Sequence, residues 1–299
     1  MGIRKFRKAI KKRMVSLIMC AEMRIRRKRA EVLRYGEYKL VKPNIKYKDI
    51  HKGKRCFIIG NGPSLKKVDL ASLKDEITFT VNESPRIADF PKLHTNYHVW
   101  TDENFFNADF STPEGKELMD VMKSVNTPDN HPVVFYKTSA RKMIKKYHLD
   151  KELNISYIME GFSLRDPNLD LPIDRPISRF DTCVQYMIVA AVYMGFSEIY
   201  LLGCDCTMIL TDIYARINAG ADKMEYAYDC SSTTVKRIKD EYKNPIDVDL
   251  MWFSHIFGAY RLLDQYCKKR GVRLCNATQG SLLVDLEMVK LEDVLKKKY

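Results

Sequence analysis

The sequence predicts an α/β fold in which a mostly parallel sheet is covered by helices on both faces, and two observations predict it. Short apolar runs of strand length, bounded by glycine or polar residues, alternate along the chain with segments of helical period. The first of these runs leads directly into a glycine-rich turn, the junction by which a strand of a parallel sheet passes to a helix. The composition agrees: 45% of the 299 residues are hydrophobic and 11% aromatic, enough to build a sizeable core. A disordered or collagen-like chain is excluded.

Residues 1–38 read as a basic arm. Of the formal net charge of +13, the first 34 residues carry +11, from thirteen basic residues against Glu22 and Glu31, which leaves +2 for the remainder. The chain is thus an almost neutral domain with a basic N-terminal extension. Its longest apolar stretch, residues 14–21, has eight residues, and a membrane-spanning helix needs roughly twenty. That stretch runs into Glu22 and then Arg24-Ile25-Arg26-Arg27-Lys28-Arg29 with no small-residue cleavage site, so it reads as retained. Ile3, Phe6, Ile10, Met14, Leu17, Ile18 and Cys20 or Ala21 recur at three- and four-residue spacing, which makes the arm an amphipathic helix suited to an anionic membrane surface. A solvated tail or a nucleic-acid arm is also open, and the interleaving of large apolar residues with the charges favours the membrane. A peripheral position at the cytoplasmic face of the plasma membrane follows. Residues 39–53, with Pro43 and many lysines, read as a linker to a domain over 54–299.

In that domain the apolar runs at 55–59, 77–81, 98–101, 133–136, 155–159, 198–203 and 272–275 read as strands of a Rossmann-like sheet. Residues 182–194 are apolar on every side, as in a helix buried against the sheet, and residues 252–270 form a second helix stopped by Gly271. The irregular, tyrosine-containing segment 207–248 reads as an active-site lid. The eight cysteines form no CxxC pair and no zinc-spaced cluster, and they read as reduced thiols of a cytoplasmic protein. Cys204-Asp205-Cys206 is the one close pair and is given no role.

The turn Gly60-Asn61-Gly62-Pro63-Ser64 sits where parallel α/β proteins bind phosphates, with backbone N–H groups and a helix dipole as the attraction and Ser64 as N-cap. It is neither a GxGxxG fingerprint nor a P-loop, and a tight turn before a capped helix is the competing reading. Asn82, Asp102 and Gly203-Cys204-Asp205 follow later strands, and polar strand ends of this kind converge on one crevice.

Three segments carry a resemblance: Phe57-Ile58-Ile59-Gly60-Asn61-Gly62-Pro63-Ser64-Leu65, the stretch Met194-Gly195-Phe196-Ser197-Glu198-Ile199-Tyr200-Leu201-Leu202-Gly203-Cys204-Asp205, and Leu274-Cys275-Asn276-Ala277-Thr278-Gln279-Gly280-Ser281-Leu282-Leu283. Over residues 54–283 the chain resembles a bacterial superfamily with two arms, the family 42 sialyltransferases and the MptE-like 6-hydroxymethyldihydropterin diphosphokinases. The sialyltransferase resemblance implies transfer of a CMP-activated acidic sugar to a lipid-linked or oligosaccharide acceptor of the cell surface, with no cofactor beyond the donor and no bound metal. It implies nucleotide contacts for Gly60, Asn61, Gly62, Ser64, Asn82, Thr182 and Gly203, with Tyr214, Tyr226 and Tyr228 as lid candidates for the phosphate. His255 is the nearest match to the histidine that takes the acceptor proton, displaced by roughly a turn. Asp205, Asp247 and Asp249 are the other candidates for that proton.

The diphosphokinase reading instead requires ATP and magnesium on clustered carboxylates, for which Asp205, Asp247 and Asp249 are available. The two aspartates at 247 and 249 equally suit a helix start. Trp100, Phe105, Phe106, Tyr226, Tyr228 and Trp252 offer faces for sugar rings or, alternatively, fill the core. The basic arm and these aromatics favour glycan transfer. A non-catalytic nucleic-acid-binding scaffold is the third reading, and a homo-oligomer is compatible with all three.

Overall fold

The computed structural model describes residues 2–218, 226–228 and 244–297. The expected lid residues 219–225 and 229–243, together with the side chain of Tyr214, lie outside the described residues.

Eight strands form one parallel sheet: β1 (Arg55–Ile59), β2 (Thr78–Val81), β3 (Tyr97–Trp100), β4 (Val133–Lys137), β5 (Asn154–Ile158), β8 (Glu198–Leu202), β9 (Arg273–Asn276) and β10 (Glu287–Met288), in the order β10-β9-β8-β1-β2-β3-β4-β5. A separate parallel pair joins β6 (Glu160–Ser163) to β7 (Ile177–Arg179). The seven strands expected from the apolar runs are present with bounds shifted by no more than one residue. They are legible because a parallel strand is buried on both faces and is apolar without interruption, as Cys56–Ile59 are.

Around the sheet lie α1 (Gly2–Leu33), α2 (Tyr35–Val41), α3 (Glu103–Phe106), α4 (Pro113–Lys123), α5 (Arg141–Lys146), α6 (Leu149–Glu152), α7 (Cys183–Tyr193), α8 (Met208–Asn218), α9 (Ile246–Lys268) and α10 (Leu291–Leu295). Helix α7, apolar but for Gln185, is buried in one cluster with Cys56, Ile58, Phe79, Val99 and Phe135 from one sheet face and with Ile256, Tyr260 and Leu263 of α9. The opposite face carries two smaller clusters, one around Phe57, Ile59 and Tyr200 and one around Trp100, Val134 and Tyr136. Trp100, Phe105 and Phe106 belong to the latter cluster, so these three fill the core and do not present a face to a sugar. Helix α9 starts at Ile246, six residues before the expected 252, because Pro245 supplies its N-cap. Asp247 and Asp249 thereby fall in its first turn, where carboxylates favour the helix dipole.

The N-terminal region departs from an arm and linker. Helix α1 buries Cys20, Met23, Arg27 and Glu31, a three- and four-residue spacing that defines one face of its second half. That face lies on the β6–β7 pair: Arg27 donates from Nε to the Pro176 carbonyl at 3.0 Å and from its terminal nitrogen to the Asp170 carbonyl. Glu31 meets Arg175 at 3.4 Å, and Asn168 donates to the Ser16 hydroxyl at 2.9 Å. Residues 39–53 are not a linker either. Val41, Asn44 and Tyr47 are buried, and the Asn44 amide donates to the Tyr157 and Ile173 carbonyls at 2.7 and 2.9 Å.

From β1 the chain steps outward through β2, β3 and β4 to β5, then returns through α7 to add β8 on the other side of β1. Connections therefore leave β1 and β8 in opposite directions, which makes the carboxyl ends of these two strands the switch point at which sheets of this topology form their crevice.

Candidate functional site

The glycine turn stands at that crevice, knitted to the end of β8. Gly60 N–H donates to the Leu202 carbonyl and Gly62 N–H to the Gly203 carbonyl, both at 2.8 Å. The Asp205 carboxylate accepts from Ser64 twice, from the backbone N–H at 3.1 Å and from the hydroxyl at 2.7 Å. The packing dictates the glycines: a Cβ on Gly60 would stand 2.5 Å from the Gly203 oxygen, and one on Gly62 would overlap the Asp205 carboxylate. Gly203 itself has φ of +60°, the left-handed region, and abuts Leu65.

This geometry corrects three expectations. The turn leads into a five-residue 3₁₀ helix, Pro63–Lys67, and not an α-helix, so it has no substantial dipole to offer a phosphate. Ser64 is not its N-cap; Gly62 holds that position, and Ser64 is spent on Asp205. The N–H groups of Gly60, Gly62 and Ser64 are satisfied within the protein and are not a phosphate cradle. Asp205 acts as the clasp of the turn.

Asn61 ties the turn to the end of β2: its amide donates to the Val81 carbonyl at 3.0 Å, and its amide oxygen accepts from the Ser84 hydroxyl at 2.7 Å. Asn82, between those partners, holds φ of +44°, a left-handed conformation that asparagine tolerates better than most side chains. Its side-chain oxygen is buried and has no hydrogen-bond partner among the described residues. The Asn61 carbonyl accepts from Ala227 N–H at 3.0 Å, which brings residues 226–228 over the turn. There the Tyr226 and Tyr228 rings stack at 5.3 Å with planes 6° apart, and the Tyr228 hydroxyl reaches Glu83 at 3.5 Å.

Thr182 flanks the same crevice at the start of α7. Gln185 accepts there from the N–H groups of Asp181 and Thr182 at 3.2 and 3.3 Å, and the Thr182 hydroxyl lies 3.3 Å from that of Tyr260. Gln185 also donates to the Ile256 carbonyl at 3.0 Å, fixing α9 beside α7. His255, adjacent to Ile256, is exposed on this stretch of α9, and no hydrogen bond ties it to the glycine turn. Burial raises the Cys206 thiol to about 12 and drives the Cys204 thiol well above its ordinary value, so both stay protonated.

The expected carboxylate cluster does not form. Asp205 clasps Ser64, Asp247 is exposed, and Asp249 is held by Arg216 and by the Asn244 amide at 3.1 Å. Among the described residues no group of three histidine, cysteine or acidic side chains is arranged to hold a metal ion. Asp249 is thus an ion-pair partner linking α9 to α8, where Arg216 also meets Asp212 at 3.0 Å.

Sequence reasoning missed Glu83, Ser84 and Arg86, which frame Asn82. Arg86 bonds Glu83 at 2.7 Å and also pairs with Glu117. Their signal was the polar run that follows β2, of which only Asn82 was singled out. Thr278 and Ser281 were likewise unassigned; their hydroxyls brace the Cys204 N–H at 3.1 Å and the Cys204 carbonyl at 2.7 Å.

No family model matches the chain, and no curated protein matches it. Among solved structures it is similar to a Maf glycosyltransferase of Magnetospirillum magneticum AMB-1, at 13% identity and a TM-score of 0.45, over 85% of this chain and 38% of that one. It is also similar to the sialyltransferase CstII of Campylobacter jejuni, solved in complex with a substrate analogue, cytidine-5'-monophosphate, at 17% identity and a TM-score of 0.42, over 80% of this chain and 85% of that one. The chain thus spans well under half the length of the first of these.

Proposed function

We propose that the crevice beyond β1, β2 and β8 binds a nucleotide-activated sugar, and that the protein is a glycosyltransferase whose donor is a CMP-linked acidic sugar. The observation that carries the reading is Asn82: a strained backbone holds a buried, unpartnered acceptor oxygen where the glycine turn, the Ser84 hydroxyl and the 226–228 segment meet. An acceptor suits an amino or hydroxyl group of a nucleoside and repels a phosphate oxygen. With the Gly60, Gly62 and Ser64 amides occupied, Tyr226 and Tyr228 are proposed to meet the phosphate, Tyr228 by turning its hydroxyl from Glu83. The motif resemblance to CMP-sugar transferases points the same way.

In the proposed reaction the acceptor hydroxyl oxygen bonds to the anomeric carbon as the bond from that carbon to the phosphate oxygen breaks, and CMP leaves. His255, on the stretch of α9 beside Thr182, takes the hydroxyl proton. A cell-surface glycan, lipid-linked or free, is the proposed acceptor. Titration calorimetry of the full chain with CMP, CTP, AMP and ATP, each with and without magnesium, tests the donor class. Metal-independent CMP binding supports the transferase, and magnesium-dependent ATP binding with CMP silent overturns it in favour of a diphosphokinase.

A further inference from the structure

Helix α1 has two distinct faces, their centres about a third of a turn apart. The inner face, Cys20, Met23, Arg27 and Glu31, is buried on the β6–β7 pair. At 100° per residue, Phe6, Ile10, Met14, Leu17, Ile18, Ile25 and Val32 fall on a single stripe about 120° wide, next to the inner face and away from the domain. All seven are exposed, between 44 and 69%. The stripe does not stop where the helix docks: Ile25 and Val32 continue it at seven-residue spacing from Ile18, over the stretch whose inner face is buried. An apolar band of this length, left bare along a 32-residue helix, exceeds ordinary scattered exposure.

The charges identify what covers it. Between residues 4 and 21 there are seven lysines and arginines and no acid. Arg7, Lys11 and Arg13 are exposed along or beside the stripe, with Lys5, Lys8 and Lys12 farther round the same turns, an arrangement complementary to a negatively charged lipid surface. A second copy of the same helix would bring these charges against each other, which disfavours a dimer. The geometry points to α1 lying flat between the domain and an anionic bilayer, inner face on protein and outer face on lipid along its whole length, as a rigid strut and not a flexible tether. This inference is independent of the transfer reaction.

Co-sedimentation of the full chain with vesicles containing roughly a quarter phosphatidylglycerol in phosphatidylcholine tests it, with pure phosphatidylcholine as control. Three variants change only exposed residues and are checked by circular dichroism: Phe6→Ser/Ile10→Ser/Leu17→Ser, Lys8→Gln/Lys11→Gln/Lys12→Gln, and Ile25→Ser/Val32→Ser. Expected is binding to the anionic vesicles that weakens with salt, falls roughly 100-fold in each triple variant, and falls about tenfold or more in the double variant. Wild-type binding by the Ile25→Ser/Val32→Ser variant would contradict the flat seating, because a free tip would then suffice. Absence of binding to anionic vesicles overturns the proposal. So does a dimer that the apolar triple variant dissolves, or salt-sensitive retention on RNA lost only in the lysine variant.

Discussion

Asn82 combines a left-handed backbone with a buried acceptor, and the two can be separated by substitution. Glycine adopts the same backbone without strain, so Asn82→Gly removes the amide and keeps the turn. CMP affinity by calorimetry should drop about tenfold, the worth of one well-made hydrogen bond, with the thermal midpoint little changed. Gly62→Ala should act in the opposite manner. Its Cβ overlaps the Asp205 carboxylate and must break the clasp on Ser64, so it should lower both stability and CMP binding. Asp205→Ala leaves the Ser64 donors unpaired and should cost about 1–3 kcal/mol in urea unfolding. His98 is a third case. It is fully buried on β3 with Nδ1 2.8 Å from the Thr80 hydroxyl, and burial lowers its pKa from 6.5 to about 3. The unfolded chain takes up a proton below 6.5 that the native state refuses, so stability falls as pH drops from 6.5 towards 3. The slope from this residue approaches about 1.4 kcal/mol per pH unit, and urea unfolding of His98→Phe over that window should lose it.

At the scale of elements, what could be read from the sequence was whatever is local. The central strands and α7 were legible because burial makes them mostly apolar, and the edge strand β5, Asn154–Ile158, because its three large apolar residues still stand out from polar flanks. Strands β6, β7 and β10 were not: they have two to four residues, and Glu160, Gly161 and Glu287 among them give no apolar run. The docking of α1 was hidden because its inner face includes Arg27 and Glu31, and Arg27 is satisfied by the Pro176 and Asp170 carbonyls, more than 140 residues away, while Glu31 pairs with Arg175 as well as with its neighbour Lys28. Arg27→Ala should therefore leave two carbonyls unpaired and cost about 1–3 kcal/mol, with faster proteolysis within residues 20–34 as the readout. The sharp junction at a strand end was legible in the glycine turn, whereas no sequence signal shows that Leu202, Gly203 and Asp205 occupy the Gly60, Gly62 and Ser64 N–H groups.

For the whole molecule, topology places the site. Because β8 joins the sheet on the far side of β1, residues 60–64 and 203–206 meet at the switch point, and the elements that carry Asn82, Thr182 and 226–228 gather around them. Of the expected site residues, the structure brings Gly60, Asn61, Gly62, Ser64, Asn82, Gly203, Asp205, Tyr226 and Tyr228 together, keeps Thr182 on the flank and His255 on the exposed side of α9, and commits Asp249 elsewhere. The most direct test of the central claim is calorimetric titration of the full chain, and of Asn82→Gly, with CMP and with ATP plus magnesium. Metal-independent CMP binding that the variant weakens about tenfold is the expected result. Binding of ATP with magnesium while CMP gives no heat, or CMP binding indifferent to Asn82→Gly, would contradict it.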